Sequence, residues 1–492
     1  MGLIVRQSLK NALYTYVGIG LGFVTTIFLY TWILDTDQYG LTRVLISAAT
    51  IGAQFAHLGM RNTIIRFFPL FRKSEGRGAG LLFLGLVVPL AGFLVFSLLY
   101  WLFREPVTGF YLEQSPLFTE FFLYVLPLTL FLLYFEILNS YLCSLHDSTT
   151  GSLAFEVVLR VLIILNLGLY FFGWIDFTLF IILFTVAYGV QPLLLLAVLL
   201  RRGEFKLSST SSLFRKRVLR GVSSYGLYTL LGGLTTVVVW NVDILMLGAM
   251  AGLEKTAIYA IAFYIGSVIT VPQRAIERIA TPLVASHLQK KNWSEVADIY
   301  KKSSVNQTIA GFYILALIWF NADALFSLIP EVYAEGKWVI LIIGAGKLFD
   351  MTTGVNGSIL ITSRYYRFDL VANLLLVLFT VGLNLLLIPK WGIEGAAAAT
   401  LLSILLYNLI KLIYIHVRLS MQPFGREHLQ LLGAAIISAA AAWALPVLPL
   451  IPNLALTFTV ITVTFLLPVW WFELSPEMNR LAESVTDRWK GG

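Results

Sequence analysis

Residues 43–61 read Arg43-Val-Leu-Ile-Ser47-Ala-Ala-Thr50-Ile-Gly-Ala-Gln54-Phe-Ala-His57-Leu-Gly-Met-Arg61. Arg43, Ser47, Thr50, Gln54, His57 and Arg61 recur at alternating steps of four and three, which places them on one face of an α-helix. Val44, Leu45, Ile51, Phe55 and Leu58 fill the opposite face. In a bilayer, a charge at the centre of a helix costs about 3 kcal/mol even on lenient scales. A polar face of this length therefore points at protein or at a watery cavity, not at lipid.

That the stretch lies in a bilayer follows from what surrounds it. The chain has 492 residues, 58% of them hydrophobic and 13% charged, against about 25% charged in soluble domains. Apolar runs fall at 9–34, 40–60, 79–103, 117–145, 151–173, 176–200, 221–249, 256–281, 304–329, 337–362, 368–389, 395–418, 428–448 and 453–473. Each is close to the length needed to cross a bilayer, so the chain reads as an all-α polytopic membrane protein of about fourteen transmembrane helices. The first run is too long for a signal-peptide core and is expected to stay as helix 1. The single cysteine, Cys143, allows no internal disulfide.

Lys and Arg set the orientation. With the N-terminus in the cytoplasm, the inward segments hold Arg72, Lys73 and Arg77, then Arg201 to Arg220, then Lys290, Lys291, Lys301 and Lys302. The outward segments hold few cations, chiefly Arg104, Lys255, Lys337 and Lys390. An even helix count returns the C-terminus, with Arg480, Arg488 and Lys490, to the same side. The net charge of +8 is mostly this bias and calls for no nucleic-acid partner. Two inward segments, 201–220 and 286–303, and the tail after Ser475-Pro476 read as surface helices.

The halves repeat. Leu13-Tyr14-Thr15 recurs as Leu227-Tyr228-Thr229, Tyr39-Gly40 as Tyr259-Ala260, and Ser47 and Thr50 as Ser267 and Thr270. Asn139 matches Asn356, and Asn166 matches Asn384. A near-constant offset of six helices implies two parallel, pseudo-symmetric six-helix lobes, which is transporter organisation. The expected domains are an N-terminal lobe (1–200), a basic cytoplasmic linker (201–220), a C-terminal lobe (221–418), two extra transmembrane helices (419–473) and a cytoplasmic tail helix (474–492).

The repeat carries the polar stripe with it: Ser267, Thr270, Arg274, Glu277 and Thr281, with Arg278 alongside. Two such faces imply a shared hydrophilic cavity that is mostly cationic. Arginine meets phosphate oxygens bidentately and keeps its charge when desolvated, so the cavity suits an anionic head group. Arg43, Gln54, His57, Arg61, Arg274, Glu277 and Arg278 are the candidate substrate-binding residues. The blander readings are snorkelling of Arg61, Arg66 and Arg278 to the inner interface and pairing of Arg43 with Asp35 or Asp37. Glu136, Asp243, Lys347 and Asp350 are the candidate coupling groups; the alternatives are a Lys347–Asp350 pair and a cap role for Asp243. Glu136 has no obvious partner in the sequence. Glu156 and Arg160, four apart, read as an intrahelical ion pair. No Gly-rich phosphate loop and no metal-spaced His/Cys/Asp cluster is present, so an enzyme is not expected.

Three short motifs give a resemblance. Asp37-Gln-Tyr39-Gly40-Leu41 follows helix 1. His57-Leu-Gly59-Met-Arg61 precedes Ile65-Arg66-Phe-Phe-Pro69. Asn384-Leu-Leu-Leu-Ile-Pro389-Lys-Trp-Gly392-Ile-Glu-Gly395-Ala-Ala precedes helix 12. The chain resembles the polysaccharide and O-antigen flippases of the multidrug/oligosaccharidyl-lipid/polysaccharide exporter superfamily. The resemblance implies two six-helix lobes and an extra C-terminal pair that covers a lobe or forms a lipid-facing groove. It also implies a polyprenyl-diphosphate-linked oligosaccharide moved from the cytoplasmic to the periplasmic leaflet of a bacterial inner membrane by alternating access. Carried over, the family's cationic cavity falls on Arg43, Arg61 and Arg274. No cofactor is expected; coupling would be to Na+, H+ or the membrane potential. The expected partners are the lipid-linked glycan, membrane lipids and polysaccharide polymerase or glycosyltransferases, with the chain a monomer. The alternative is an ion-coupled multidrug exporter of the same superfamily, but such exporters typically bury an acidic residue in helix 1, and residues 9–34 contain no Asp or Glu.

Overall fold

The computed structural model describes residues 3–75, 79–206, 216–446, 448–477 and 479. Much of the expected linker (207–215) and the tail (480–492, with Arg480, Arg488 and Lys490) lie outside the described residues, as does Arg77. Every regular element among the described residues is helical.

The chain forms two compact units, 1–257 and 258–492. The first contains α1 (3–33), α2 (Thr36–Ala56), α3 (Met60–Glu75), α4 (Ala79–Leu102), α5 (Val125–Ser144), α6 (Thr149–Phe171), α7 (Phe177–Arg201) and α8 (Lys216–Met250). Helix α9 (Leu253–Gln289) leads into the second unit. There follow α10 (Trp293–Phe320), α11 (Lys337–Thr352), α12 (Asn356–Thr362), α13 (Tyr366–Leu419), α14 (Arg426–Trp443) and α15 (Ile451–Trp471). The repeat assigns α8 to the second half of the sequence, yet α8 packs on α2 within the first compact unit.

Among the described residues, ten helices are long and apolar enough to cross a membrane, or eleven if the bent pair Glu331–Thr352 and Asn356–Thr362 is one span. This differs from the expected fourteen for reasons visible in the sequence. The polar stripe lowers the hydropathy of α2, and Arg426 and Glu427 with an alanine-rich body do the same to α14. Residues 366–419 form one 54-residue element, at about 1.5 Å per residue far longer than a bilayer is thick. It breaks at Gly392, where φ is 55° and ψ −125°. A Cβ on Gly395 would lie 2.2 Å from the Leu387 carbonyl oxygen, so the second arm folds back tightly along the first. Tyr407 donates from its hydroxyl to Asn373 Oδ1 at 3.2 Å, as antiparallel arms in this register require.

The lipid-facing surface is apolar. Leu94, Leu98, Trp101 and Leu102 of α4 are all exposed, a stripe that water would not tolerate but a hydrocarbon core does. The C-terminal pair covers α10. Phe312 packs on Phe465 with centroids 4.6 Å apart, Tyr313 and Thr462 hydroxyls meet at 2.8 Å, and Asn321 Oδ1 accepts from Asn453 and Thr457 at 3.0 and 2.7 Å. At one end of α10 Lys301 pairs with Glu427 at 2.7 Å.

Candidate functional site

The stripe of residues 43–61 does not run along one continuous helix. It breaks after Ala56, where Leu58 (φ 48°) and Gly59 (φ 76°) both take left-handed backbone. His57 makes the break: its Nδ1 accepts the Gly59 N–H at 2.9 Å, and its Nε2 then donates to Gln54 Oε1 at 3.0 Å. Glycine is needed at 59 twice over, for its φ and because a Cβ would meet the Gly226 carbonyl oxygen of α8 at 1.9 Å. A Cβ on Gly233 would likewise meet Gln54 Nε2 at 2.0 Å. Gln54 and His57 are thus buried between α2 and α8 and engaged with each other.

Arg61 heads α3, and its Nε lies 3.0 Å from Glu136 Oε2 on α5. This supplies the partner that the sequence does not show for Glu136. Both side chains stay partly exposed. Arg66 stacks its guanidinium 4.2 Å from the Tyr225 ring centroid on α8. Arg43 is half-buried, close enough to Tyr30 and Tyr188 for electrostatic interaction, and its Nε is buried without a hydrogen-bond partner. No Arg43 pair with Asp35 or Asp37 forms among the described residues; the Asp35 N–H instead bonds to Gln38 Oε1 at 3.3 Å at the start of α2. Asp243 is buried inside α8, short of its end at Met250, so it is not a cap. Glu156 and Arg160 form the intrahelical pair at 3.0 Å, fitted against α1 where Gly18 and Gly22 leave room.

In the second unit the repeated stripe begins in a 3-10 turn, Val268–Thr270, and continues along α9. Arg274 and Arg278, four apart, are both exposed, whereas Glu277 is half-buried and interacts electrostatically with Arg274 and Asp350. Gln273 bridges the two carboxylates: its Nε2 donates to Asp350 Oδ2 at 3.0 Å and Glu277 Oε1 at 3.3 Å. Asp350 Oδ1 accepts from Asn408 Nδ2 at 2.8 Å. Asn408 Oδ1 in turn accepts from Asn356 Nδ2 at 2.9 Å and Thr353 Oγ1 at 3.0 Å. Lys347, one turn from Asp350, is buried beside the Phe263 ring.

Beside this chain of amides lies a second buried group. Lys411 Nζ is 3.1 Å from Asp369 Oδ1 and 2.9 Å from the Tyr407 hydroxyl, and Asn373 Nδ2 reaches Asp369 Oδ2 at 3.1 Å. The sequence reading brought Glu277 and Asp350 into view but missed Gln273, Asp369, Asn373, Tyr407, Asn408 and Lys411. The available signal was Asn408 and Lys411, two polar residues three apart in the apolar run 395–418.

No group of three or more His, Cys, Asp and Glu suited to a metal ion occurs among the described residues. Each unit thus carries arginines on membrane helices, some paired and some open, and the second adds a buried acid–amide–lysine network.

The profile of the family described as "Polysaccharide biosynthesis protein" matches residues 4–284. A curated relative, "Uncharacterized membrane protein MJ1068" of Methanocaldococcus jannaschii, is 20% identical over 420 residues, 81% of each chain. Among solved structures, "Lipid II flippase MurJ, inward closed conformation" matches with a TM-score of 0.73 and 13% identity, covering 95% of this chain and 98% of that one. An inward-facing multidrug resistance MATE family transporter of the MOP superfamily matches at 0.64 and 13% identity, covering 85% and 98%. A MOP superfamily transporter from Pyrococcus furiosus, described as having a binding pocket of reverse polarity, matches at 0.53 and 13% identity, covering 85% and 95%. These structural neighbours are named as a flippase and as transporters. This chain is a multi-pass membrane protein with the fold shared by MurJ and the MATE transporters, and it belongs to the polysaccharide biosynthesis protein family.

Proposed function

We propose that this chain flips a polyprenyl-diphosphate-linked oligosaccharide, such as a polysaccharide or O-antigen repeat unit, from the cytoplasmic to the periplasmic leaflet of a bacterial inner membrane. Both termini are cytoplasmic in this reading, the protein is a monomer, and the glycosyltransferases and polymerase act before and after it. The observation that carries it is the exposure of Arg274 and Arg278 on one face of a membrane-spanning helix. Two guanidinium groups so placed face water or an anion rather than hydrocarbon, and their fork matches phosphate oxygens. Arg43 and Arg61 add positive charge in the first unit. Glu277 and Asp350, joined through Gln273, are the groups best built to couple transport to H+ or Na+, because a proton or cation bound there would relieve two neighbouring carboxylates. Asp243, Lys347 and Glu136 are secondary candidates, the last already paired with Arg61.

The test is leaflet sidedness of lipid-linked glycan in cells lacking the protein, probed with an impermeant sugar-modifying reagent. The reading expects glycan-loaded lipid to build up on the cytoplasmic side. Normal sidedness with intracellular retention of small cationic drugs would replace it with the multidrug-exporter reading, which the MATE fold match favours.

A further inference from the structure

An apolar cavity of about 500 Å³ opens on the first unit between α3, α4 and α8. Leu58, Leu84, Val88, Leu227 and Leu230 line it, and Ser223 is its polar exception. Its size falls within the range of about 300–1,000 Å³ seen for ligand sites. At its edge the helices are tightly fitted, with Gly59 and Gly226 approaching backbone to backbone. The flanking charge is distinctive. Arg66, six residues after Met60 of the lining, holds its guanidinium against Tyr225, between Ser223 and Leu227 on α8. No carboxylate lies within ion-pair distance of Arg66 among the described residues, whereas nearby Arg61 is neutralised by Glu136. An apolar groove flanked by a guanidinium with no carboxylate partner among the described residues is complementary to an amphiphile made of a hydrocarbon chain and a phosphate-type anion.

We propose that this groove holds the isoprenoid tail of the lipid-linked substrate while Arg66 meets its diphosphate. The proposal rests on the flippase reading for the identity of the lipid. It gives the tail a seat on the first unit and so explains why a cation is held beside an apolar void. Arg66 keeps its position without substrate by stacking on Tyr225, a cation–π contact that needs no counter-ion, and a diphosphate would add the charge-assisted hydrogen bonds that the ring cannot supply.

The test places the photoreactive residue p-benzoylphenylalanine at Leu227 in the full-length protein, in cells that make the lipid-linked glycan, with the same residue at Leu98 of α4 as a control. Both positions are exposed, at 59% and 63%. Mass spectrometry of the adducts should show the polyprenyl-diphosphate glycan at 227 well above the level at 98. Arg66→Ala should lower the 227 adduct about ten-fold, as loss of a hydrogen bond to a charged group implies, and Arg66→Lys should restore part of it. Leu230→Trp, which fills the groove and leaves Arg66 in place, should lower it too. Phospholipid adducts alone at 227, or equal labelling at 227 and 98 in protein that purifies as a single species, would overturn the proposal. Leaflet sidedness in the deletion strain reads the flippase function separately. A sidedness defect without the adduct removes the groove but not the function, and the adduct without a sidedness defect removes the function but not the lipid site.

Discussion

Lys411 Nζ lies 3.1 Å from Asp369 Oδ1 across the two arms of α13, and both side chains are largely shut away from solvent. A buried pair of this kind is weak evidence for net stability, but breaking it is expensive because one charge stays behind. Lys411→Ala should therefore destabilise the protein by about 3–5 kcal/mol, read as a loss of thermal stability in detergent. Lys411→Met combined with Asp369→Leu should recover much of that loss. A single substitution as stable as the parent would mean that the pair is hydrated or otherwise compensated.

Gly59 sets the break between α2 and α3. Gly59→Ala must place a Cβ at positive φ, 1.9 Å from a carbonyl oxygen, and should sharply reduce the yield of folded protein. Leu58 is the contrasting case, a bulky residue at φ 48°. Leu58→Gly should relieve about 1–2 kcal/mol of left-handed strain, partly offset by lost packing. Thermal stability and size-exclusion profiles of the two variants, compared side by side, check the sign of each.

Asp147 lies in the turn between α5 and α6. Burial works against its charge. The Thr150 hydroxyl and N–H, the Thr149 hydroxyl and the Arg202 guanidinium outweigh it, holding the carboxyl below its usual range. A depressed carboxylate stabilises the folded state above its unfolded pKa of about 3.9. That contribution is lost as pH falls through the lower, folded value. Stability should thus decline below about pH 4, and Asp147→Asn should flatten that acid limb. Asp147→Ala should cost about 0.5–2 kcal/mol at neutral pH, as loss of a helix cap does, because Oδ1 accepts the N–H groups of Thr149 and Thr150 at 3.1 Å each.

How much of this was legible beforehand depends on the kind of signal. Membrane class followed from composition, and the helices followed from apolar runs, because both depend on local sequence. The Glu156–Arg160 pair was legible for the same reason, its partners being one turn apart. Arg61–Glu136 and Lys411–Asp369 were not, because they join separate helices and single-sequence periodicity carries no information on which faces meet. The break at His57 was hidden by its own regularity: the four-three spacing continues through it, and only the backbone at Leu58 and Gly59 shows that Arg61 belongs to a new helix. The fold-back of α13 was legible too: the apolar runs 368–389 and 395–418 flank the Pro389-to-Gly392 interruption, and the chain reverses at Gly392.

Asn408 joins Asp350 to Asn356 and Thr353, so it is the hub of the buried polar chain. Asn408→Leu should leave those groups short of partners at about 1–3 kcal/mol for each one orphaned. If Asp350 takes part in coupling, the same variant should also shift the pH or sodium dependence of transport. A protein destabilised with an unchanged ion dependence would assign the network to structure alone.

The central claim is tested most directly by leaflet sidedness of lipid-linked glycan in a deletion strain carrying either the parent protein or Arg274→Ala, at matched membrane levels. The account predicts that the parent clears glycan from the cytoplasmic leaflet and that the variant, correctly inserted, leaves it there. Full clearance by Arg274→Ala would contradict the role of the exposed arginine face, and with it the reading of this chain as a carrier of an anionic lipid-linked sugar.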